Sequence, residues 1–179
     1  NGAEIRVANS SNTSNAPAYA YLPSSNPAGG DVGIASNYTA SLQLPVVGTY
    51  GWMTHIHELG HALGLKHAHQ SSPYNSALVN SFYDDMEFTV MSYRSYVGQP
   101  IQGYANETYG FAQTLMMYDI AALQSMYGAD YSTNATATTY TWNPLTGAMS
   151  VNGVSQGTPG ANRIFLTTWD GGGVDTYDL

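Results

Sequence analysis

The sequence predicts an α+β fold on three observations. The first third carries short runs of strand type, the middle carries a helical apolar stripe flanked by histidines, and a second helical stripe runs up to a glycine. From residue 130 onward the composition turns to Thr, Asn and Gly, with hairpin and glycine–aspartate turn signals.

Taken in order, Glu4-Ile5-Arg6-Val7-Ala8 alternates polar and apolar and reads as a strand. Residues 9–15 read as a polar loop, and Ala18-Tyr19-Ala20-Tyr21-Leu22 as a short apolar stretch before Pro23. Asp31-Val32-Gly33-Ile34-Ala35 reads as a second strand. Trp52, Ile56, Leu59 and Leu63 recur at helical spacing and predict a stripe packed on the sheet, with a histidine pair beside it. Residues 71–87 read as a solvated acidic loop containing Asp84-Asp85 and Glu87. Met116, Ile120, Leu123 and Tyr127 predict a last helix over 114–127, with Thr114 as N-cap and Gly128 just past its end. Asn152-Gly153 is a hairpin-turn signal.

Composition narrows the function classes. At 179 residues and 43% hydrophobic, the chain is long enough for one domain with a real core. Twelve acidic side chains against four basic give a formal charge of −8, which argues against nucleic acid or an anionic membrane as partner. No apolar run approaches the length of a membrane span. Cysteine is absent, so disulfides play no part and no thiolate closes a metal site.

The stretch that carries chemistry is His57-Glu58-Leu59-Gly60-His61-Ala62-Leu63-Gly64-Leu65-Lys66-His67. On a helix, His57 and His61 stand at i and i+4 and point the same way, so both can reach one metal ion. Glu58 flanks that pair, placed to act as a base without being a ligand. His67 comes ten residues after His57 and would lie roughly 15 Å along a continued helix. The chain must therefore stop and turn back, and Gly64 is the residue able to adopt the left-handed conformation that ends a helix. Three neutral imidazoles are a catalytic rather than a structural zinc set, because they leave a fourth tetrahedral position open. His55 reads as a hydrogen-bonded structural histidine and His69 as a residue near the cleft; neither is needed as a ligand.

The pattern H-E-x-x-H-x-x-G-x-x-H resembles that of the metzincin metallopeptidases, and Thr89-Val90-Met91-Ser92-Tyr93 resembles the methionine turn of their serralysin branch. The resemblance implies that Met91 underlies the three histidines and that Tyr93 is both a possible zinc ligand and a catalytic residue assisting the transition state. It implies a twisted, mostly parallel sheet with one antiparallel edge strand, assigned to residues 31–35, on which an extended protein or peptide substrate pairs. It assigns residues 94–104 to the wall of the pocket beyond the scissile bond. Tyr118 to Ala129 matches the helix that closes the family's protease domain. Trp169 to Asp178 resembles entry into a glycine-rich calcium-binding repeat, which makes Asp170, Gly172 and Asp175 possible calcium ligands, with carbonyls near Asn134, Thr136 and Thr138 as further family-derived candidates. One departure is Ala68, where many serralysins carry proline.

These readings give residues 1–129 as a zinc metallopeptidase catalytic domain and 130–179 as the connection into a calcium-binding β-roll. The resemblance implies further strands and a helix ahead of residue 4, so an N-terminal part cut away, or a separate N-terminal fragment of the same protein acting as partner, is expected. The expected activity is that of a secreted, extracellular zinc endopeptidase using Zn2+ for catalysis and Ca2+ for structure, with Glu58 as general base. The rivals are an inactive fragment, a zinc- and calcium-dependent binding module on the same scaffold, and a matrixin-type enzyme. The intact Glu58 argues against pure binding, and Met-Ser-Tyr with the glycine–aspartate tail argues against the matrixin branch.

Overall fold

The computed structural model describes residues 4–11 and 15–179; of the polar loop expected over 9–15, residues 12–14 lie outside the described residues. Three strands form the first sheet: β1 (Val7–Ser10), β2 (Ala18–Ala20) and β3 (Val32–Ala35). Their order is β1-β3-β2, with β1 parallel and β2 antiparallel to β3. The expected strand at 31–35 is present, but it is the buried centre of this sheet rather than its antiparallel edge. That edge is β2, read from sequence only as an apolar stretch. The Tyr19 ring lies against Gly33, so this face of the central strand is covered from within the sheet. Among the described residues this sheet holds one parallel and one antiparallel pair. The first strand is also displaced from the expected 4–8 to 7–10.

A short helix α1 (Ala40–Gln43), unforeseen in the sequence, leads to the long helix α2 (Tyr50–Ala62). Thr49 caps α2 by accepting the Trp52 N–H at 3.3 Å. The stripe Trp52, Ile56, Leu59, Leu63 is only half-buried, and it is divided between two clusters. Leu59 joins Ala18, Val32, Ile34, Leu42 and Ala62 over the sheet, whereas Ile56 packs with Met53, Val90, Met91, Phe111 and Met116 on the other side. Trp52 donates its indole N–H to the carbonyl of Gln113 at 2.9 Å. A helix wedged between two packed surfaces buries parts of several faces, so a single stripe describes it poorly.

Helix α3 spans Met117–Tyr127 and starts later than expected, with Met116 rather than Thr114 at its N-cap position. The acceptor for its first turn is Asp119, whose carboxylate takes the Met116 N–H at 2.9 Å. Thr114 instead exchanges hydrogen bonds with Thr167. Gly128 closes the helix with φ +87° and an N–H bonded to the Gln124 carbonyl.

The acidic pair in the long loop differs most from expectation. Asp84 and Asp85 are buried, not solvated. Arg94 pairs with Asp84 and sends its Nε to the Gln99 carbonyl, while Asp85 accepts the Glu87 N–H at 2.8 Å. A buried carboxylate is tolerated when it is paired in this way.

The C-terminal residues form a second sheet from β4 (Thr139–Trp142), β5 (Met149–Val151), β6 (Val154–Gly157) and β7 (Thr176–Asp178), in the order β6-β5-β4-β7. The β5–β6 hairpin turns at Asn152 and Gly153, both at positive φ, as the dipeptide predicted.

Candidate metal centre and cleft

The end of α2 sets the site. Gly64 has φ +103°, the Gly64 N–H bonds the His61 carbonyl and the Leu65 N–H bonds the Gly60 carbonyl, each at 2.9 Å. This paired helix termination reverses the chain within one turn and brings His67 back over His57 and His61. The reversal also offers the Leu65 carbonyl to His61 Nδ1 at 2.7 Å. Beneath the helix, Met91 packs so closely that a Cβ on Gly60 would lie 2.7 Å from its sulfur.

Each imidazole is oriented through its Nδ1. His57 bonds the Val90 carbonyl at 2.7 Å, His61 bonds the Leu65 carbonyl, and His67 bonds the Gln70 side-chain oxygen at 2.6 Å. These partners only accept, so each Nδ1 carries the proton and each Nε2 is left with a lone pair. The ligand atoms lie within 4.8 Å of one another, with His67 Nε2 at 3.2 Å from that of His57 and 3.0 Å from that of His61. Facing lone pairs repel unless a cation lies between them, so the donor set fits a metal ion that prefers nitrogen ligands, and zinc is one. Burial and the neighbouring His61 ring push the His57 pKa down to about 3, and burial lowers that of His61 to about 4, which keeps both rings neutral at pH 7.

Tyr93 and Glu58 complete the cluster. The Tyr93 hydroxyl meets His67 Nε2 at 2.8 Å. Glu58 is buried, and burial raises its carboxyl to about 7. His57, Glu58 and Tyr93 line one cavity of about 450 Å³, walled by residues 16–18 on one side and 101–104 on the other. Of the wall expected over 94–104, the last four residues reach this cavity. His61 and His67 line a neighbouring cavity of about 240 Å³ with Ala20, Leu22 and Gln70. Strand β2 therefore runs beside the histidine cluster, touching both cavities.

The remaining histidines behave differently. His55 bonds the Gly51 carbonyl at 2.7 Å, a structural role matching the expectation. His69 stacks on His67 with ring centres 5.6 Å apart and planes 6° apart, and it also contacts the Tyr93 ring.

Sequence reasoning missed three contributors: Asp119, Gln70, and Lys66, whose ammonium donates to the Gln70 carbonyl at 2.8 Å. Asp119 accepts hydrogen bonds from Thr89 Oγ1 and from the Val90 N–H at 2.9 Å, so helix α3 anchors the turn that presents the Val90 carbonyl to His57. An acid in the first turn of a predicted helix was the available signal. Gln70 and Lys66 had none.

In the C-terminal segment, Asp170, Gly172 and Asp175 lie against the 134–138 turn. Thr138 N–H bonds Asp175 Oδ1 at 3.0 Å, Tyr140 donates to Asp170 Oδ2 at 2.6 Å, and Gly172 N–H bonds Asp170 Oδ1 at 2.9 Å. The Thr136 and Asn134 carbonyls accept from the Thr138 hydroxyl on the same turn.

Comparison with known proteins agrees with the cluster. A family model described as Metallo-peptidase family M12 matches residues 3–109. "Metallopeptidase AprA" of Pseudomonas marginalis is 34% identical over 178 residues, covering 95% of this chain and 36% of that protein. "Serralysin C" of Dickeya chrysanthemi is 34% identical over 171 residues, and "Serralysin" of Proteus mirabilis 33% over 175; each alignment covers 90% of this chain and 33% of the relative. The chain thus spans about a third of the length of these curated relatives. Membership of a metallopeptidase family implies zinc, and His57, His61 and His67 are the cluster among the described residues able to hold a metal ion. The family match, the identities over nine-tenths of the chain and the three converging imidazoles agree: this chain belongs to metallopeptidase family M12 and is a serralysin-like metzincin.

Proposed function

We propose that the chain is the catalytic part of a secreted zinc endopeptidase that hydrolyses peptide bonds of protein substrates bound in extended form. The observation that carries this reading is the convergence of three Nε2 lone pairs beside a cavity lined by His57, a buried carboxylate and a tyrosine hydroxyl. His57, His61 and His67 hold the zinc, which when bound supplies an acidified water and polarises the scissile carbonyl.

Glu58 accepts the proton of the attacking water and passes it to the leaving amine. Its burial raises its basicity towards the pH at which such a base works best. Tyr93, poised on His67 Nε2, donates a hydrogen bond to the oxygen on which negative charge develops. Substrate backbone pairs with the outer edge of β2, which carries a partner strand on one side only among the described residues. Residues 1–129 form the catalytic domain. Asp170, Gly172 and Asp175, with carbonyls of the 134–138 turn, hold a structural calcium at the entry to a β-roll over 130–179. The Asp170 and Asp175 carboxylates, which bond Tyr140 and the Thr138 N–H beside the Asn134 and Thr136 carbonyls, support that assignment.

The deciding experiment is the zinc content of the purified chain, measured alongside casein cleavage with and without a chelator. One zinc per chain and chelator-sensitive cleavage are expected. Zinc without cleavage would favour a binding role, and a chain that takes up no zinc would overturn the reading altogether.

A further inference from the structure

Two of the three imidazoles are held by main-chain carbonyls, those of Val90 and Leu65. No side-chain substitution removes such an acceptor. The third differs: His67 Nδ1 is held at 2.6 Å by the side-chain oxygen of Gln70, an exposed residue. Water competes for an exposed hydrogen bond, and a free glutamine side chain loses rotamer entropy when it is held. Something must keep Gln70 in place, and the neighbouring contacts show what does. The Gln70 N–H bonds the His67 carbonyl at 3.2 Å, forming a tight turn. The Lys66 ammonium then donates to the Gln70 carbonyl at 2.8 Å and to the Ala77 carbonyl at 2.6 Å. Downstream, the Val79 N–H bonds the Ala68 carbonyl at 3.0 Å, and the Ala68 N–H bonds the Met91 carbonyl at 3.3 Å. The loop after His67 is thus tied at one end to the methionine turn and at the other to a buttressing cation.

We propose that Gln70 is the positioning residue of the third imidazole: its side-chain oxygen holds Nδ1–H of His67 so that Nε2 faces His57 and His61, and Lys66 fixes Gln70 for that task. The inference rests on the zinc reading of the three histidines, but it adds a requirement that the motif does not contain. A free histidine side chain in water prefers to carry its proton on Nε2, the nitrogen needed here as a ligand. An acceptor at Nδ1 reverses that preference and fixes the ring plane. A carboxylate in place of the amide makes the stronger, charge-assisted hydrogen bond, so the effect has a sign in both directions.

Two measurements test this. In the first, nitrogen–proton correlation spectra of the zinc-free chain at neutral pH report which ring nitrogen of His67 is protonated. Nδ1–H is expected in the parent and in Gln70→Glu, and a shift to Nε2–H in Gln70→Ala. An unchanged tautomer in Gln70→Ala would overturn the proposal without reference to any metal. In the second, competitive zinc titration should show Gln70→Ala binding about 10- to 100-fold more weakly, with Gln70→Glu as tight as the parent or tighter. Lys66→Met should weaken binding by a smaller factor, and parental affinity in that variant would remove Lys66 from the scheme. If Gln70→Ala binds zinc as the parent does while His67→Ala does not, the proposal fails and the zinc site stands. If His67→Ala also binds as the parent does, the zinc reading itself fails.

Discussion

The carboxylate of Asp119 accepts the main-chain N–H of Val90 at 2.9 Å, and the carbonyl of that same Val90 accepts Nδ1–H of His57 at 2.7 Å. One peptide segment thus links helix α3 to the first imidazole. Asp119 also takes hydrogen bonds from Thr89 and Met116. Asp119→Ala leaves these buried donors without an acceptor, and a loss of about 3 kcal/mol is expected. Urea denaturation measures it. Zinc affinity should fall in the same variant, because the Val90 carbonyl loses its anchor. Parental stability and affinity together would show that Asp119 anchors nothing.

Glu58 is assigned the proton transfers, so Glu58→Ala should keep its zinc and lose more than about 100-fold in cleavage rate. Metal analysis and casein assays on the same preparation check both halves. Loss of zinc in this variant would instead make Glu58 part of the metal-holding set.

The zinc-free chain should lose stability as pH falls below about 6.5. Folded His57 and His61 have pKa values lowered from 6.5 to about 3 and about 4, so the unfolded chain takes up protons that the folded chain resists. Their stabilisation is complete above pH 6.5 and disappears progressively as pH falls towards the folded values. Glu58 acts in the opposite sense. Its folded pKa is raised from 4.5 to about 7, so its contribution is complete below 4.5 and is lost as pH rises through 7. At pH 5 each of the two histidines accounts for on the order of 2 kcal/mol, and Glu58 offsets part of the sum. Urea midpoints at pH 7 and pH 5 should therefore fall more steeply in Glu58→Gln than in the parent, and less steeply in His57→Gln. Parallel profiles for all three would refute the assignment.

Calcium should raise the melting temperature, by an amount corresponding to about 2.7 kcal/mol at one hundred times its dissociation constant. Asp170→Ala should abolish that response, since Asp170 sits where the 134–138 turn meets the glycine-rich segment. A parent chain whose melting temperature ignores calcium would dismiss the site.

Some of this molecule was readable along the chain because the relevant geometry is local. His57 and His61 need only one helical turn to face the same way, and Gly64 needs only its own φ of +103°. The Asn152-Gly153 hairpin and the Gly128 helix end are local in the same sense. Asp84 and Asp85 were misread because an acidic dipeptide in a polar loop carries no mark of the Arg94 that pairs with one of them. Thr114 was a reasonable cap by residue type, but its hydroxyl is engaged by Thr167, and Asp119 does the capping. Residues 18–20 form the edge strand because Tyr19 packs against Gly33, a contact between segments far apart in sequence.

The sequence by itself determined the three imidazoles, the carboxylate beside them, the point at which the helix must stop and the family to which the chain belongs. Those follow from residue identity at short spacing, where backbone geometry leaves few choices. Only the tertiary structure decided which strand borders the cleft, which carboxylates are buried and what holds each imidazole in place. Val90 and Leu65 act through carbonyls that any residue would supply, so no residue type advertises them. Gln70 and Lys66 act from a loop whose path is set by long-range hydrogen bonds to Met91 and Ala68.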